Sequence, residues 1–268
     1  MLFGSWRARK PVVRRGAEGW RAYAVGDVHG RFDLLEGLLR QIEADHRDRG
    51  GSVRPVLIFL GDLIDRGPQS REVVDLVFSG PLPGFRTIVL AGNHEEVLLR
   101  LLDGEEDLLA QWLRFGGEEC LASYGIDPLE LLALPAPRAL AELRARIPER
   151  HQRFLHELGD SFRFGDYLFV HAGIRPGVPL DRQSPLDLRW IRQPFLSDRR
   201  DHGMMVVHGH TISERIEERH NRIGIDTGAY HYGTLTALAV EGEARWFLQE
   251  EERQPAAAKP EGGNPAQR

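Results

Sequence analysis

The sequence is poor in cysteine and in long hydrophobic runs. Its single cysteine, Cys120, cannot form a disulfide within the chain, which fits a reducing compartment, and we expect a cytoplasmic location. No apolar stretch approaches the roughly 18 residues that cross a bilayer, so we expect a soluble protein without a transmembrane segment. The N-terminus also lacks the apolar segment of a secretory signal.

An excess of positive charge is missing as well. The 35 Lys and Arg residues are outnumbered by 40 Asp and Glu residues, for a formal charge of −5, which argues against a nucleic-acid binder. A local positive pocket for phosphate is compatible with this charge. Residues 1–19 are basic and aperiodic, and residues 250–268 are polar. We therefore predict a disordered leader at 1–19, one folded domain at 20–249 and a disordered tail at 250–268.

Between these tails, short apolar runs alternate with amphipathic segments. Strands are predicted at 21–25, 56–60 and 87–91, with helices at 32–47 and 69–78 between them, which indicates a mainly parallel sheet with helices outside. A helical cap is predicted at about 100–158. Strands then return at 161–164 and 167–170, joined by the two-residue hairpin signal Gly165-Asp166, and at 204–207, 222–225, 234–240 and 244–248. The expected fold is α/β, with a two-sheet sandwich flanked by helices and a helical cap insert.

Polar residues set among glycines follow five of these strands. In α/β sheets, ligands bind at the carboxyl ends of strands. Alone, each motif is typical of a turn, a helix N-cap or a buried histidine; together, and in this order, they favour a site. The motifs are Gly26-Asp27-Val28-His29-Gly30, Gly61-Asp62-Leu63-Ile64-Asp65-Arg66-Gly67, Gly92-Asn93-His94-Glu95, His171-Ala172-Gly173 and His208-Gly209-His210-Thr211.

Asp, His and Asn side chains are the ligands of borderline divalent metals such as Mn, Fe and Zn. Six of them suffice for two ions if Asp62 bridges: Asp27, His29, Asp62, Asn93, His171 and His210. Two divalent ions, two carboxylates and a bridging hydroxide would leave a net charge of about plus one, which attracts a phosphate dianion and lowers the pKa of bound water.

These motifs resemble those of the phosphoprotein phosphatase family of calcineurin-like metallophosphoesterases, and they look closest to its bacterial and phage members. The resemblance covers roughly residues 21–248. It implies a metallophosphoesterase sandwich in which Asp27 and His29 hold the first ion, and Asp62 bridges. Asn93, His171 and His210 would hold the second, and two Mn²⁺ ions are expected, with Fe or Zn as alternatives. Because the metal ligand of the family motif follows its glycine, His210 is assigned, and His208 is either a neighbour of the ligands or a strand end.

The resemblance also implies the catalytic roles. His94 would protonate the leaving alkoxide, Asp65 would orient His94, and Arg66 would bind phosphate oxygens. Trp190-Ile191-Arg192 resembles the Trp-x-Arg of bacterial members, so Arg192 is the expected second phosphate ligand, with Arg175 and Arg189 as alternatives.

The expected activity is hydrolysis of a phosphomonoester by a metal-bridging hydroxide, most simply as a serine/threonine protein phosphatase. The expected partner is a phosphoprotein or a small phosphoester. Asp65-Arg66 and Glu95 favour this activity over the alternative, a symmetrical diadenosine tetraphosphate hydrolase. Ile212 stands where related nucleases carry a further histidine, which argues against a nuclease. The physiological substrate, the resident metal and the oligomeric state stay open.

Overall fold

The structure, a computed structural model, describes residues 13–252. Most of the predicted leader and tail lies outside the described residues. Within them, Arg14 donates to Gly203 O at 2.7 Å, Gly16 N donates to Gly242 O at 2.8 Å, and Asp166 N donates to Arg15 O at 2.7 Å. Arg15 and Gly16 thus pair with the folded part of the chain through backbone groups, and Arg14 does so through its guanidinium.

The first sheet combines parallel and antiparallel strands. Its strand order is β10-β9-β1-β2-β3. The three N-terminal strands run parallel, as predicted, but β9 runs antiparallel to both β1 and β10. The expectation of a mainly parallel sheet is wrong at this edge, because a tight turn at 242–243 pairs β9 with β10 as a hairpin. The strands are β1 Trp20–Val25, β2 Arg54–Phe59, β3 Arg86–Val89, β9 Thr234–Glu241 and β10 Ala244–Glu251.

The second sheet has the order β4-β5-β6-β8-β7. Its first two strands form the predicted hairpin, with Phe164 opposite Tyr167 and Gly165 at a φ of 61° in the turn. The neighbours β5, β6 and β8 are parallel, whereas the two-residue strand β7 was not predicted. The strands are β4 Ser161–Phe164, β5 Tyr167–Val170, β6 Met205–His208, β7 Glu217–Glu218 and β8 Arg222–Gly224.

Helices cover the outer faces of the sheets. The stretch from Asn93 to His156, which contains most of the cap predicted at about 100–158, is largely helical and kinks at Phe115 and Gly116, where φ is −99° and 108°. No helix within residues 13–252 has the length and apolarity to span a membrane. The helices are α1 Phe32–Arg49, α2 Ser70–Phe78, α3 Asn93–Leu102, α4 Leu109–Trp112, α5 Glu118–Ser123, α6 Pro128–Leu132, α7 Ala136–Arg146, α8 Glu149–His156 and α9 Pro185–Trp190.

The two-residue period of the strands divides the apolar core. Ala22 and Ala24 of β1 lie in the cluster between the sheets, together with Phe169 of β5. Tyr23 and Val25 belong instead to the cluster that packs under α1 and the other helices. A third cluster lies between the second sheet and α9. The result is a sandwich whose strand ends carry the predicted site residues, and the expected two-sheet α/β fold is confirmed.

We predict that Leu57→Ala lowers the free energy of unfolding by about 2–5 kcal/mol, because Leu57 is fully buried in β2 and the shorter side chain leaves a cavity. Leu129→Ala is the matched control, since Leu129 is 77% exposed and its loss should cost less than about 0.5 kcal/mol. Urea unfolding measures both, and equal losses would contradict the assignment of Leu57 to the core.

Candidate dinuclear metal centre

The backbone turns sharply where the strands enter the candidate site. Among the described residues, those with positive φ other than glycine are His29, Asp62, Asp65, Arg66 and His210, and all five are predicted site residues. This conformation costs about 1–3 kcal/mol per residue, so the surrounding structure must hold it. A Cβ at Gly92 would lie 2.0 Å from Asp62 Oδ1, which is why a glycine stands there.

Glu95 holds the turn that carries Asp62. Its buried carboxylate accepts from the backbone N–H groups of Asp62 at 2.8 Å, Leu63 at 2.7 Å and Gly92 at 2.9 Å. Burial and the Asp62 carboxylate raise the pKa of Glu95 to about 7, and the N–H donors oppose that rise. Glu95 served above only as a marker of substrate class, and this role was missed; its bond to Gly92 N is the half of a capping box that a glycine N-cap still allows.

Asp62 lies at the centre of the site. Its Oδ2 is 3.5 Å from His29 Nε2, 3.4 Å from His171 Nε2 and 3.9 Å from His94 Nε2. Two sets of potential metal ligands share this carboxylate: His29, Asp62 and His94 form one, and Asp62, His171 and His210 form the other. The structure therefore brings Asp62 to the position where a bridging ligand is expected. Although burial opposes its charge, the neighbouring imidazoles lower the pKa of Asp62.

Backbone hydrogen bonds define the tautomers of two histidines. His29 Nδ1 donates to Ile64 O and His171 Nδ1 donates to Leu60 O, both at 2.9 Å, which leaves the Nε2 lone pairs directed at the centre. Burial lowers the pKa of both imidazoles, and it lowers the pKa of His210 to about 2. Neutral imidazole is the form that binds metal ions.

Several electron-rich atoms at this centre lack a hydrogen-bonding partner. Asp27 Oδ1 and His210 Nε2 are buried and have none within residues 13–252. His171 Nε2 lies 3.0 Å from Asn93 Oδ1, so two acceptors face each other, as ligands of one cation do. Unpaired buried polar atoms are costly, and divalent ions would satisfy them. The residues present thus fit a pair of divalent ions held by nitrogen and oxygen ligands.

Asp27 lies in the site but belongs to neither set of ligands. Its Oδ2 accepts from the backbone N–H of His210 at 2.9 Å. Burial and the carboxylates of Asp226 and Asp62 raise its pKa. The geometry puts His94 in the first set, where the sequence analysis expects Asp27.

His94 forms a buried pair with Asp65. Its Nδ1 donates to Asp65 Oδ2 at 2.7 Å, and the same oxygen accepts from the indole N–H of Trp112 at 2.9 Å. Burial opposes the charged form of His94, but the carboxylates of Asp62 and Asp65 raise its pKa above the ordinary value. The contact between Asp65 and Trp112 was not predicted, because these two residues are 47 positions apart in sequence.

The predicted arginines differ in their partners. Arg66 Nη1 donates to His29 Nε2 at 3.0 Å, and its guanidinium stacks 4.6 Å from the ring centroid of Tyr230, a residue that the sequence analysis missed. Within residues 13–252, the hydrogen bonding of the Arg192 side chain is limited to a long contact of 3.4 Å from Nη2 to His210 O. Both arginines line a cavity of about 350 Å³ together with Asn93, His94, Val97, Arg100, Leu108, Gln111, Trp112, Phe115, Trp190 and His210.

The alternative arginines are occupied by carboxylates. Arg175 Nε lies 2.8 Å from Asp187 Oδ2, and Arg189 bridges Asp160 at 2.6 Å and Glu96 at 3.2 Å. His208 does not point at the proposed metal ligands. Its Nδ1 donates to Gly209 O at 3.0 Å, and its ring centroid lies 5.1 Å from that of Phe195. Burial lowers the pKa of His208 to about 4. The position of His208 therefore matches the strand-end alternative.

Comparison with known proteins identifies the family to which the chain belongs. Residues 21–239 match the family model for calcineurin-like phosphoesterases. The chain is 29% identical to the asymmetrical bis(5'-nucleosyl)-tetraphosphatase PrpE of Halalkalibacterium halodurans, over 80% of this chain and 87% of the relative. It is also 29% identical to serine/threonine-protein phosphatase 1 of Salmonella typhimurium, over 88% and 99%. A crystal structure of a putative diadenosine tetraphosphatase shares the fold, with a TM-score of 0.60 and 23% identity over 88% of this chain and 98% of that chain.

We predict that manganese raises the melting temperature of chelator-treated protein, because an ion that binds only the folded state stabilises it, by about 2.7 kcal/mol at 100 times Kd. His210→Asn removes a ligand atom of the second set and should abolish most of this rise. His208→Asn is the matched control: it can lower the starting temperature but should keep the manganese-induced rise. Equal rises in the two variants, measured by calorimetry, would contradict the assignment of His210.

Proposed function

Because the chain belongs to the calcineurin-like phosphoesterase family, we propose that it is a metal-dependent phosphomonoester hydrolase that acts on phosphoserine and phosphothreonine in proteins. The observation that supports this choice is the buried pair of His94 and Asp65, with Nδ1 and Oδ2 2.7 Å apart. The pair leaves Nε2 of His94 directed at Asp62, 3.9 Å from its Oδ2.

Such a pair matters most for a leaving group that is a strong base. The oxygen of serine or threonine departs as an alkoxide and needs a proton in the transition state, and a positioned acid contributes roughly 10² to 10⁴ in rate. A departing phosphate needs little protonation, because its own second pKa is about 6. The raised pKa of His94, caused by Asp62 and Asp65 against the effect of burial, favours the protonated form that can donate from Nε2.

The family uses a binuclear divalent metal centre, and the residues of this chain fit one. Manganese is the proposed metal. When bound, the ions would supply Lewis acidity toward the phosphoryl oxygens and toward an attacking water. The proposed ligands are Asp27 and His29 for one ion, Asp62 for both, and Asn93, His171 and His210 for the other.

Arg66 and Arg192 are proposed to bind the equatorial oxygens of the phosphoryl group. A planar guanidinium matches two phosphate oxygens at once. Arg192 is better placed for this role than Arg175 or Arg189, since it lines the cavity beside Asn93 and His94 while the other two pair with carboxylates. The ring of Tyr230 stacks against the guanidinium of Arg66 and so helps to hold it in position.

A second candidate function is hydrolysis of a dinucleoside tetraphosphate, the activity in the name of the relative from Halalkalibacterium halodurans. Two aromatic side chains of the cavity, Phe115 and Trp190, are 57% and 36% exposed and could stack on a nucleobase. The test compares kcat/KM for a phosphoserine peptide and for diadenosine tetraphosphate on manganese-loaded protein. The proposal expects the peptide to be preferred, and a preference for the dinucleotide would replace it with the second candidate.

We predict that His94→Asn lowers kcat on a phosphoserine peptide by roughly 10² to 10⁴ while it keeps manganese binding, because Asn cannot act as the acid. The loss on 4-nitrophenyl phosphate should be far smaller, since that leaving group needs little protonation, so this substrate is the internal control. A near-normal rate on the peptide would remove His94 from the proposed role. Metal content is measured on the same sample.

A further inference from the structure

We propose that Trp112 is a positioning residue of the acid pair, and this inference rests on the proposed role of His94. The indole N–H of Trp112 donates to Asp65 Oδ2 at 2.9 Å, the oxygen that also accepts from His94 Nδ1 at 2.7 Å. Trp112 is 2% exposed and Asp65 is fully buried, so water does not compete for this contact. The segment between α3 and α8 thereby supplies a direct restraint on the chemistry.

The two donors define the orientation of the Asp65 carboxylate. Both converge on Oδ2, while Oδ1 has no hydrogen-bonding partner among residues 13–252. A carboxylate held at one oxygen by a single donor can turn about its side-chain bond, but a second donor from another direction restricts that rotation. Because the orientation of His94 depends on the carboxylate it donates to, the indole acts on His94 through Asp65.

The backbone beside Asp65 is held by the same segment. Asp65 and Arg66 are consecutive residues with φ of 71° and 68°. Arg66 N donates to Gly116 O at 2.9 Å, only four residues beyond Trp112, and Asp65 N donates to Ser70 Oγ at 3.0 Å. One of these two backbone restraints therefore comes from the kinked turn at Phe115 and Gly116 that follows Trp112.

That turn approaches the site more closely than a side chain would permit. Gly116 has a φ of 108°, and a Cβ there would lie 2.5 Å from Arg66 Cγ and 2.6 Å from Arg66 N. Gly117 lies against the indole itself, where a Cβ would be 2.5 Å from Cδ2 of Trp112. Glycine at these two positions therefore lets the segment pack directly against Arg66 and against the indole of Trp112.

The experiment compares Trp112→Phe with Trp246→Phe on the full chain loaded with manganese. Both substitutions remove an indole N–H that donates to an aspartate, since Trp246 Nε1 lies 3.2 Å from Asp45 Oδ1, but Trp246 packs on Arg49 outside the site. We expect Trp112→Phe to lower kcat on a phosphoserine peptide by about 10- to 100-fold, to change the rate on 4-nitrophenyl phosphate little, and to leave KM unchanged for both. Trp246→Phe should leave both rates unchanged.

A second background separates positioning from a general effect on folding. If Trp112 acts through Asp65, adding Trp112→Phe to Asp65→Ala should cause no further loss on the peptide. Equal losses on the two substrates, or a loss that persists in the Asp65→Ala background, would overturn the inference. Should Trp112→Phe not fold, Trp112→His is the second variant, because it keeps a ring N–H. The quantity to compare is then the rate on the peptide divided by the rate on 4-nitrophenyl phosphate. A ratio near that of the unsubstituted protein supports the inference, and a ratio as low as that of Asp65→Ala refutes it.

His94→Asn separates this inference from the proposed function. If that variant loses the same factor on the peptide and on 4-nitrophenyl phosphate, His94 is not the acid and the proposed function fails. If His94→Asn loses rate mainly on the peptide but Trp112→Phe does not, the proposed function stands and only the role of Trp112 is refuted.

Discussion

The buried carboxylate of Asp62 is the constraint on which the rest of the structure depends. Charge is costly to bury unless partners compensate for it: Asp62 Oδ1 accepts from the backbone N–H of His94 at 3.1 Å, and its Oδ2 faces the imidazoles of His29, His94 and His171, where divalent ions would compensate the charge. Three of the strand ends contribute those histidines, so both sheets must bring their carboxyl edges to one point. Glu95 holds the turn of Asp62 through its backbone N–H groups, and the left-handed residues of the site follow from the close approach. The same arrangement leaves buried oxygen and nitrogen atoms of the site available to bind divalent ions.

The pair of His94 and Asp65 shows how a helical segment can contact site residues that lie at the ends of the strands. The residues that follow the strands supply His94, Asp65 and Arg66, but the contacts that hold two of them come from Trp112 and Gly116. A cavity lined by the same segment faces the two arginines. Under the proposed function, binding of the substrate and orientation of His94 would therefore depend on one piece of chain, the segment that carries Trp112 and Gly116.

Much of the fold followed from local patterns. The short apolar run at 21–25, the continuous apolar run of β2 and the Gly165-Asp166 turn correspond to observed strands and to an observed hairpin. The direction of β9 did not follow, because the pairing of distant strands depends on which edge of the sheet is free, and a single strand carries no sign of that. Residues 14–16 were assigned to a leader on composition alone, yet the backbone of Arg15 pairs with the turn between β4 and β5, and that of Gly16 pairs with the turn after β9.

The sequence by itself determined which residue types stand at the strand ends, since Asp, Asn and His among glycines can be seen without a structure. It thereby indicated Asp62, His171 and His210 as neighbours, and the structure brings them together. Only the tertiary structure shows that Arg192 lines the cavity while Arg175 and Arg189 pair with carboxylates. The tertiary structure alone revealed that Trp112 donates to Asp65 and that Tyr230 stacks on Arg66. The physical reason is that ligand types are local properties of a chain, whereas hydrogen-bonding and stacking partners are selected by how distant segments pack.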